Sequence, residues 1–288
     1  MSNPAWQPRQ FRRYIETIAS SSLTAVIETD AGRAYLKAIN NPQGLHVLAC
    51  DWVGTTLARR FGLKTFDIAI LELAEDDEIP LDDKTTADPG PAFVTRAEDG
   101  HPMGGAASLE QIENVEDIAR LIVFDTWVRN CERYAPGMGK DGKPRMNADN
   151  LFLSAHGALD GTLILKAIDH GHILTCGKPL TPKLASIETI KDERLYGCFP
   201  FFRRAVTVEQ ICRCAMELKE NCSRLCAGLL NDLPDAWEVS GAIKQAIDRL
   251  LLERAVFLAD NIKAMADEEF KNVSPFPNSS TKRRQPNE

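Results

Sequence analysis

The sequence predicts an α+β protein in two lobes, a small β-rich N-terminal lobe and a larger helical C-terminal one. Three observations carry this expectation. Short apolar runs punctuated by turn residues fill the first part of the chain, and helical periodicity takes over from residue 114. Between them, residues 74–105 are acidic and rich in Pro and Gly, and read as a connector between the lobes. The expected division is therefore 1–105 for the N-terminal lobe with its connector and 106–271 for the helical lobe. Residues 272–288, with Pro, Asn, Ser and Lys-Arg-Arg, read as a disordered tail.

Taken in order, residues 24–29 and 33–39 form a hairpin about the turn Asp30-Ala31-Gly32. Residues 45–61 place Leu48, Trp52, Thr55, Leu57, Ala58 and Phe61 at helical steps, and Gly62 stands where a helix ends. Strands are expected at 66–73 and 92–95, then a helix over 114–129. A second hairpin pairs 151–153 with 163–168 around Gly157 and Gly161. Two long helices, 208–230 and 237–270, complete the chain. Cys212, Cys214, Cys222 and Cys226 fall on the first of them; their spacing lacks the two-residue knuckle of zinc sites, so they read as small hydrophobes.

Composition narrows the function. The 288 residues are 44% hydrophobic and 26% charged, enough for a substantial core. A net charge of -7 argues against direct nucleic-acid binding, which relies on clustered Lys and Arg. No apolar run approaches the roughly 20 residues of a membrane-spanning helix, and the segment from Met1 to Trp6 has no apolar signal core, so a cytoplasmic location away from membranes is expected. The eight cysteines are expected to be reduced.

Chemistry is concentrated at five positions. Lys37 lies on a strand, Asp51 on the helix after it, and Glu132, Asn150 and Asp169 in the helical part. Phosphoryl transfer needs such a set. A cation steadies nucleotide phosphates, an acid holds that cation, and carboxylate and amide oxygens bind magnesium. A carboxylate at the end of the apolar run before Asp169 is costly unless something compensates it, and Mg2+ would do so. The plainer reading of Lys37 is a solvated face shared with Arg33, Tyr35 and Ile39. His170 and His172 read as supporting groups more than metal ligands, since no third partner lies nearby in sequence.

Three segments are the most specific: Phe124-Asp125-Thr126-Trp127-Val128-Arg129-Asn130-Cys131-Glu132-Arg133, Asp149-Asn150-Leu151-Phe152-Leu153, and Ile168-Asp169-His170-Gly171-His172. With Tyr35-Leu36-Lys37-Ala38 and residues 57–63, they give a chain that resembles the HipA-like kinases, bacterial relatives of the HipA toxin kinase with a protein-kinase-like fold. The resemblance runs from about Ser20 to Ala205. It implies a two-lobed kinase-like fold and an ATP- and Mg2+-dependent transfer of the γ-phosphoryl group to a Ser or Thr hydroxyl of a protein. It places Lys37, paired with Asp51, on the ATP phosphates, and the turn Ser20, Ser21, Ser22 over the nucleotide. Asn150 and Asp169 become metal ligands; Glu132 and Arg133 occupy the catalytic loop. The C-terminal helices are free to bind a partner protein.

Three departures from the family pattern bear on activity. Glu132 stands where the family has Asp, and Asp51 where it has Glu, changes of about 1.5 Å in reach. A misplacement of about 1 Å can cost on the order of a hundredfold in rate, so a nucleotide-binding pseudokinase serving as an interaction or regulatory module is the alternative. A small-molecule or lipid kinase is a third reading. Finally, residues 134–148 separate Glu132 from Asn150, either as an excursion over the active site or as a surface insertion, with Asp149 as a substitute acid.

Overall fold

A computed structural model describes residues 6–271, so the expected tail at 272–288 lies outside the described residues. The N-terminal part is built on β1 (Phe11–Thr17), β2 (Ala25–Thr29), β3 (Gly32–Lys37), α1 (Leu45–Arg60), β4 (Ile68–Leu73) and β5 (Gly90–Arg96). The five strands form one antiparallel sheet in the order β1-β2-β3-β5-β4. The mixed α+β class read from the sequence is the one observed. β1 was not legible in advance, because it is an edge strand with register shifts between Phe11 and Arg13 and between Tyr14 and Glu16. Such irregularities break the two-residue alternation by which a strand is recognised.

Residues 74–105 are not one connector. β5 lies between β3 and β4 in the sheet, so residues 74–89 leave and re-enter the same sheet, with a bridge between Pro80 and Thr86. The crossing to the second part is made after β5, and β6 (Gly100–Pro102) already pairs with a strand of that part. An acidic, Pro- and Gly-rich stretch looks the same whether it rejoins one sheet or links two. At the crossing, Lys166 Nζ donates to Glu98 Oε1 at 2.6 Å, and Ser154 Oγ donates to Glu98 Oε2 at 2.6 Å, bracing the passage from inside.

The second part contains α2 (Asp117–Val128), the small hairpin β7 (Tyr134–Ala135) and β8 (Arg145–Met146), then β9 (Leu151–Ser154) and β10 (Ile164–Ala167). β9 lies between β10 and β6 in a three-stranded sheet. A short helix, α3 (Ile187–Ile190), precedes the long α4 (Val208–Cys226) and α5 (Gly241–Lys271). Thr207 starts α4 with a reciprocal cap, accepting from the Gln210 N–H while the Gln210 side chain accepts from its own. Cys214, Cys222 and Cys226 are buried, with the Cys222 and Cys226 sulfurs 3.9 Å apart.

Two main apolar cores result among the described residues. A small one, including Ile27, Leu36, Leu71 and Val94, lies on one side of the five-stranded sheet. The large one runs from Leu48 and Leu57 of α1 through Phe124 and Trp127 of α2 to Leu218 and Leu250 of α4 and α5. α1 thus comes from the N-terminal part yet is seated in the core of the other, which fixes its acid, Asp51, relative to the residues after β10. No described helix is long and apolar enough to cross a membrane.

Candidate active site

Lys37 is the last residue of β3, and its side chain reaches across to the second sheet. Its Nζ donates to Asp51 Oδ2 at 2.8 Å and to Asp169 Oδ1 at 2.8 Å. Asp51, on the second turn of α1, has a side chain only 2% exposed, and its other oxygen accepts the His170 N–H at 2.8 Å. The Asp169 side chain is 39% exposed, on a backbone held in the left-handed region at φ 55. A residue other than Gly there is held against a local cost by its surroundings. Here the holding group is His170, which is fully buried and packs edge-on against Phe124 at 5.6 Å. Gly54 makes the seat for it: a Cβ at Gly54 would stand 2.4 Å from the His170 Cβ.

The charges of this cluster are set by burial and by one another. Burial pulls the Lys37 ammonium towards neutrality, but Asp169 and Asp51 outweigh it and hold its pKa above the usual range. Burial pushes Asp51 up to about 6 against the pull of Lys37. Asp169 also feels burial, but Lys37 prevails and keeps its carboxyl below the ordinary value. His170 is driven well below its usual value by burial and by Arg133, and is neutral. Arg133 Nη2 lies 3.4 Å from His170 Nε2 and can only donate, so His170 Nε2 accepts and Nδ1–H donates to Thr55 Oγ1 at 3.0 Å.

The residues expected to form the catalytic loop follow α2. Asn130 donates from Nδ2 to Asp125 Oδ1 at 3.2 Å and accepts the Glu132 N–H at 3.3 Å, shaping the turn. Arg133 is fully buried and ion-paired with Asp125. It also donates to the Asn150 carbonyl at 3.2 Å and to the Ile168 carbonyl at 2.9 Å. Arg133 therefore acts as a brace tying α2 to the backbone beside Asn150 and Asp169, and does not face the cleft.

Glu132 is only 12% exposed, and its pKa is raised by burial and then by the nearby charge of Asp169. Its Oε2 lies 3.4 Å from His172 Nδ1 and its Oε1 lies 4.0 Å from the Arg145 guanidinium. Gln43 Nε2 donates to His172 Nε2 at 3.0 Å and to Ser21 Oγ at 2.8 Å. His172 thus carries its proton on Nδ1, directed at Glu132, although no hydrogen bond is formed there. Through Gln43 the Ser20, Ser21, Ser22 turn is attached to the edge of the site. Ser21 is exposed, while Ser20 and Ser22 bond within their own turn and to Thr24.

Asn150 is buried; its Oδ1 accepts from Asn147 at 3.1 Å and its Nδ2 has no partner. Its carbonyl also accepts the Ile168 N–H at 3.2 Å, which sets it next to Asp169. An amide oxygen has two lone pairs and Asn147 uses one; Asp169 keeps its second oxygen outside the Lys37 contact. Carboxylate and amide oxygens are the donors that Mg2+ takes, with substrate phosphates completing its shell, so the donor types of Asp169 and Asn150 fit the ion. Asp149 is exposed, and among the described residues no contact ties its carboxylate to Lys37, Glu132 or Asp169. Residues 134–148 fold back beside Glu132, with the β7–β8 pairing and the Asn147 N–H donating to the Arg133 carbonyl at 2.8 Å.

Sequence reasoning missed Gln43, Thr55, Gly54 and Arg145. Gln43 falls in Asn41-Pro42-Gln43-Gly44, where the turn signal masks any other role. Gly54 is a mid-helix glycine, and such a residue, costly to a helix, is a signal of close packing that could have been used.

An antiparallel sheet with one core-seated helix, a lysine held by an acid of that helix, and an acid after the last strand of a helical part together define a kinase-like fold. Residues 27–156 match the family described as HipA-like kinase, the family that the motifs resemble. The structure is similar to that of the Helicobacter pylori proinflammatory kinase CtkA, with a TM-score of 0.51 at 10% sequence identity, covering 92% of this chain and 99% of that one. No curated protein gives a significant match. The fold and the family match support a kinase-type function.

Proposed function

We propose that this chain is an ATP- and Mg2+-dependent kinase that transfers the γ-phosphoryl group to a Ser or Thr hydroxyl of a protein. The observation that carries this reading is Lys37, buried and charged between Asp51 and Asp169. A cation fixed by one buried acid, with a more exposed second acid beside it, can exchange that second contact for a nucleotide phosphate. Asp51 would then hold Lys37 in place, and Asp169 and Asn150 would hold the metal. Bound Mg2+ supplies charge neutralisation on the phosphates. Glu132 takes the proton of the acceptor hydroxyl at its carboxylate oxygen, and burial raises its pKa, which makes it a stronger base than an exposed carboxylate. His172 Nδ1–H steadies the carboxylate, and Arg133 keeps the surrounding backbone in register. Incubation with labelled ATP and Mg2+, with protein and small-molecule acceptors in parallel, tests this. Transfer to protein that disappears in Asp169→Asn is the expected result; transfer only to small molecules defeats the protein-kinase reading.

One observation favours a second reading. Glu132 is shielded and already engaged by His172 and Arg145, as a carboxylate in a non-catalytic nucleotide-binding regulator can be. Thermal stabilisation by Mg-ATP without any transfer selects that reading, and a gain of transfer in Glu132→Asp would attribute the difference to the extra methylene.

A further inference from the structure

Cys131 and Cys176 are far apart in sequence and stand together at the active site. Cys131, between Asn130 and Glu132, is fully buried, with Sγ 3.9 Å from the His172 carbonyl oxygen. Cys176, in the segment after Asp169, is half-buried on a left-handed backbone at φ 57, with Sγ 3.8 Å from the Arg129 carbonyl oxygen. Each thiol is thus aimed at the backbone of the other's segment. The two side chains pack into one small cluster with Ala135 and Tyr196.

Thiol reactivity needs access and a nearby positive field. Cys176 has both. The neighbouring Cys131 thiol outweighs burial, and the guanidinium of Arg129 assists, so its pKa falls to about 7. Cys131 moves the other way, raised by its Cys176 neighbour and by burial. Cys176 is therefore the half-exposed thiol, and Cys131 lies buried behind it as a partner. The Cys222 and Cys226 pair contrasts with this: both are buried in the packing of α4, out of reach of solvent.

We propose that Cys131 and Cys176 form a regulatory disulfide, made by a hydroperoxide and undone by a dithiol, that disables the catalytic loop. The Cys176 thiolate attacks the peroxide oxygen, giving a sulfenic acid and water or an alcohol. Cys131 sulfur then attacks the sulfenic sulfur, the S–S bond forms, and the oxygen leaves as water. Two thiols lose two electrons and two protons, and the peroxide gains them. The bond draws the sulfurs to about 2.05 Å, well inside contact distance. The bond ties together the two backbone segments that hold Glu132 and His172 and pulls on both. A shift on the order of 1 Å there can cost about a hundredfold in rate.

The loss of activity rests on the proposed kinase function; the cross-link itself does not. The purified full chain is treated with hydrogen peroxide and mapped by mass spectrometry without reduction. The expected product is a Cys131–Cys176 peptide that disappears with dithiothreitol, while phosphoryl transfer falls at least tenfold and returns on reduction. Cys176→Ser is expected to keep its activity through the same treatment. If the protein transfers no phosphate, Mg-ATP stabilisation of the reduced and oxidised forms is the readout, and its loss on oxidation is the expected result. Finding no cross-link, finding Cys222–Cys226 alone, or finding the cross-linked form unchanged in both readouts overturns the proposal.

Discussion

Lys37 Nζ and Asp169 Oδ1 are 2.8 Å apart, although one ends a strand of the five-stranded sheet and the other follows the last strand of the second. The same ammonium holds Asp51, so removing it has unequal effects on the two acids. Asp51 is left buried with a single backbone N–H, and breaking a buried pair by deleting one partner costs about 3–5 kcal/mol. Lys37→Met is expected to lose stability of that order in urea titrations, together with all stabilisation by Mg-ATP. Asp169→Asn acts on a group with a partly exposed side chain and is expected to cost much less stability while abolishing transfer.

The pH dependence of folding separates these acids further. Asp51 is raised to about 6 in the folded state, so its contribution is fully present below the unfolded value and is lost as pH rises through about 6. Asp169 is lowered, so its contribution is present above the unfolded value and is lost as pH falls through the folded one. Asp51→Asn removes the first dependence. Chemical denaturation of both proteins between pH 4 and 7 is expected to show the variant gaining on the parent as pH rises; a constant difference across that window would contradict the assignment.

Much of the fold was readable because its signals are local. The hairpin before Lys37, the helix carrying Asp51 and the helix ending near Arg129 each follow from periodicity within one segment. The order of Lys37, Asp51, Glu132, Asn150 and Asp169 was also legible. Their mutual distances were not, because Asp51 approaches Asp169 only when α1 is seated in the core of the second part. The role of Arg133 was hidden for the same reason. An arginine beside a catalytic acid reads as a cleft residue until Asp125, Asn150 and Ile168 are seen to enclose it.

That enclosure gives a prediction for Arg133. Arg133→Met leaves Asp125 buried without its cation, and Asp125 Oδ2 already has no hydrogen-bond partner. The single substitution is expected to destabilise by about 3–5 kcal/mol, and pairing it with Asp125→Leu is expected to recover part of the loss, since replacing both members of a buried pair is far cheaper than removing one. A double-mutant cycle in urea measures the coupling; additive effects of the two substitutions would show that the pair is not coupled.

Gly54 allows a smaller but sharper perturbation. A methyl group there would meet His170 Cβ at 2.4 Å, closer than carbon atoms approach, so α1 or the segment after β10 must move. Overpacking of this kind costs about 1–3 kcal/mol. Because α1 carries Asp51 and His170 adjoins Asp169, Gly54→Ala is expected to raise the KM for ATP beyond what its stability loss explains, a split measurable on the folded protein well below its Tm.

Glu132 and His172 test whether the longer side chain is a working base. Arg145 lowers the Glu132 pKa, so Arg145→Ala removes that pull and moves the acidic limb of the rate profile to higher pH. His172 Nδ1 sits 3.4 Å from Glu132 Oε2, a separation that can tighten once the acceptor hydroxyl is in place. His172→Ala is expected to lower kcat by about tenfold to a hundredfold, the cost of a misoriented catalytic group, with the KM for ATP little changed. Asn at this position can present an N–H close to where Nδ1 lies, so His172→Asn is expected to restore much of the rate. A merely structural histidine would behave differently, since both substitutions would then lower Tm together and Asn would give no selective recovery of kcat.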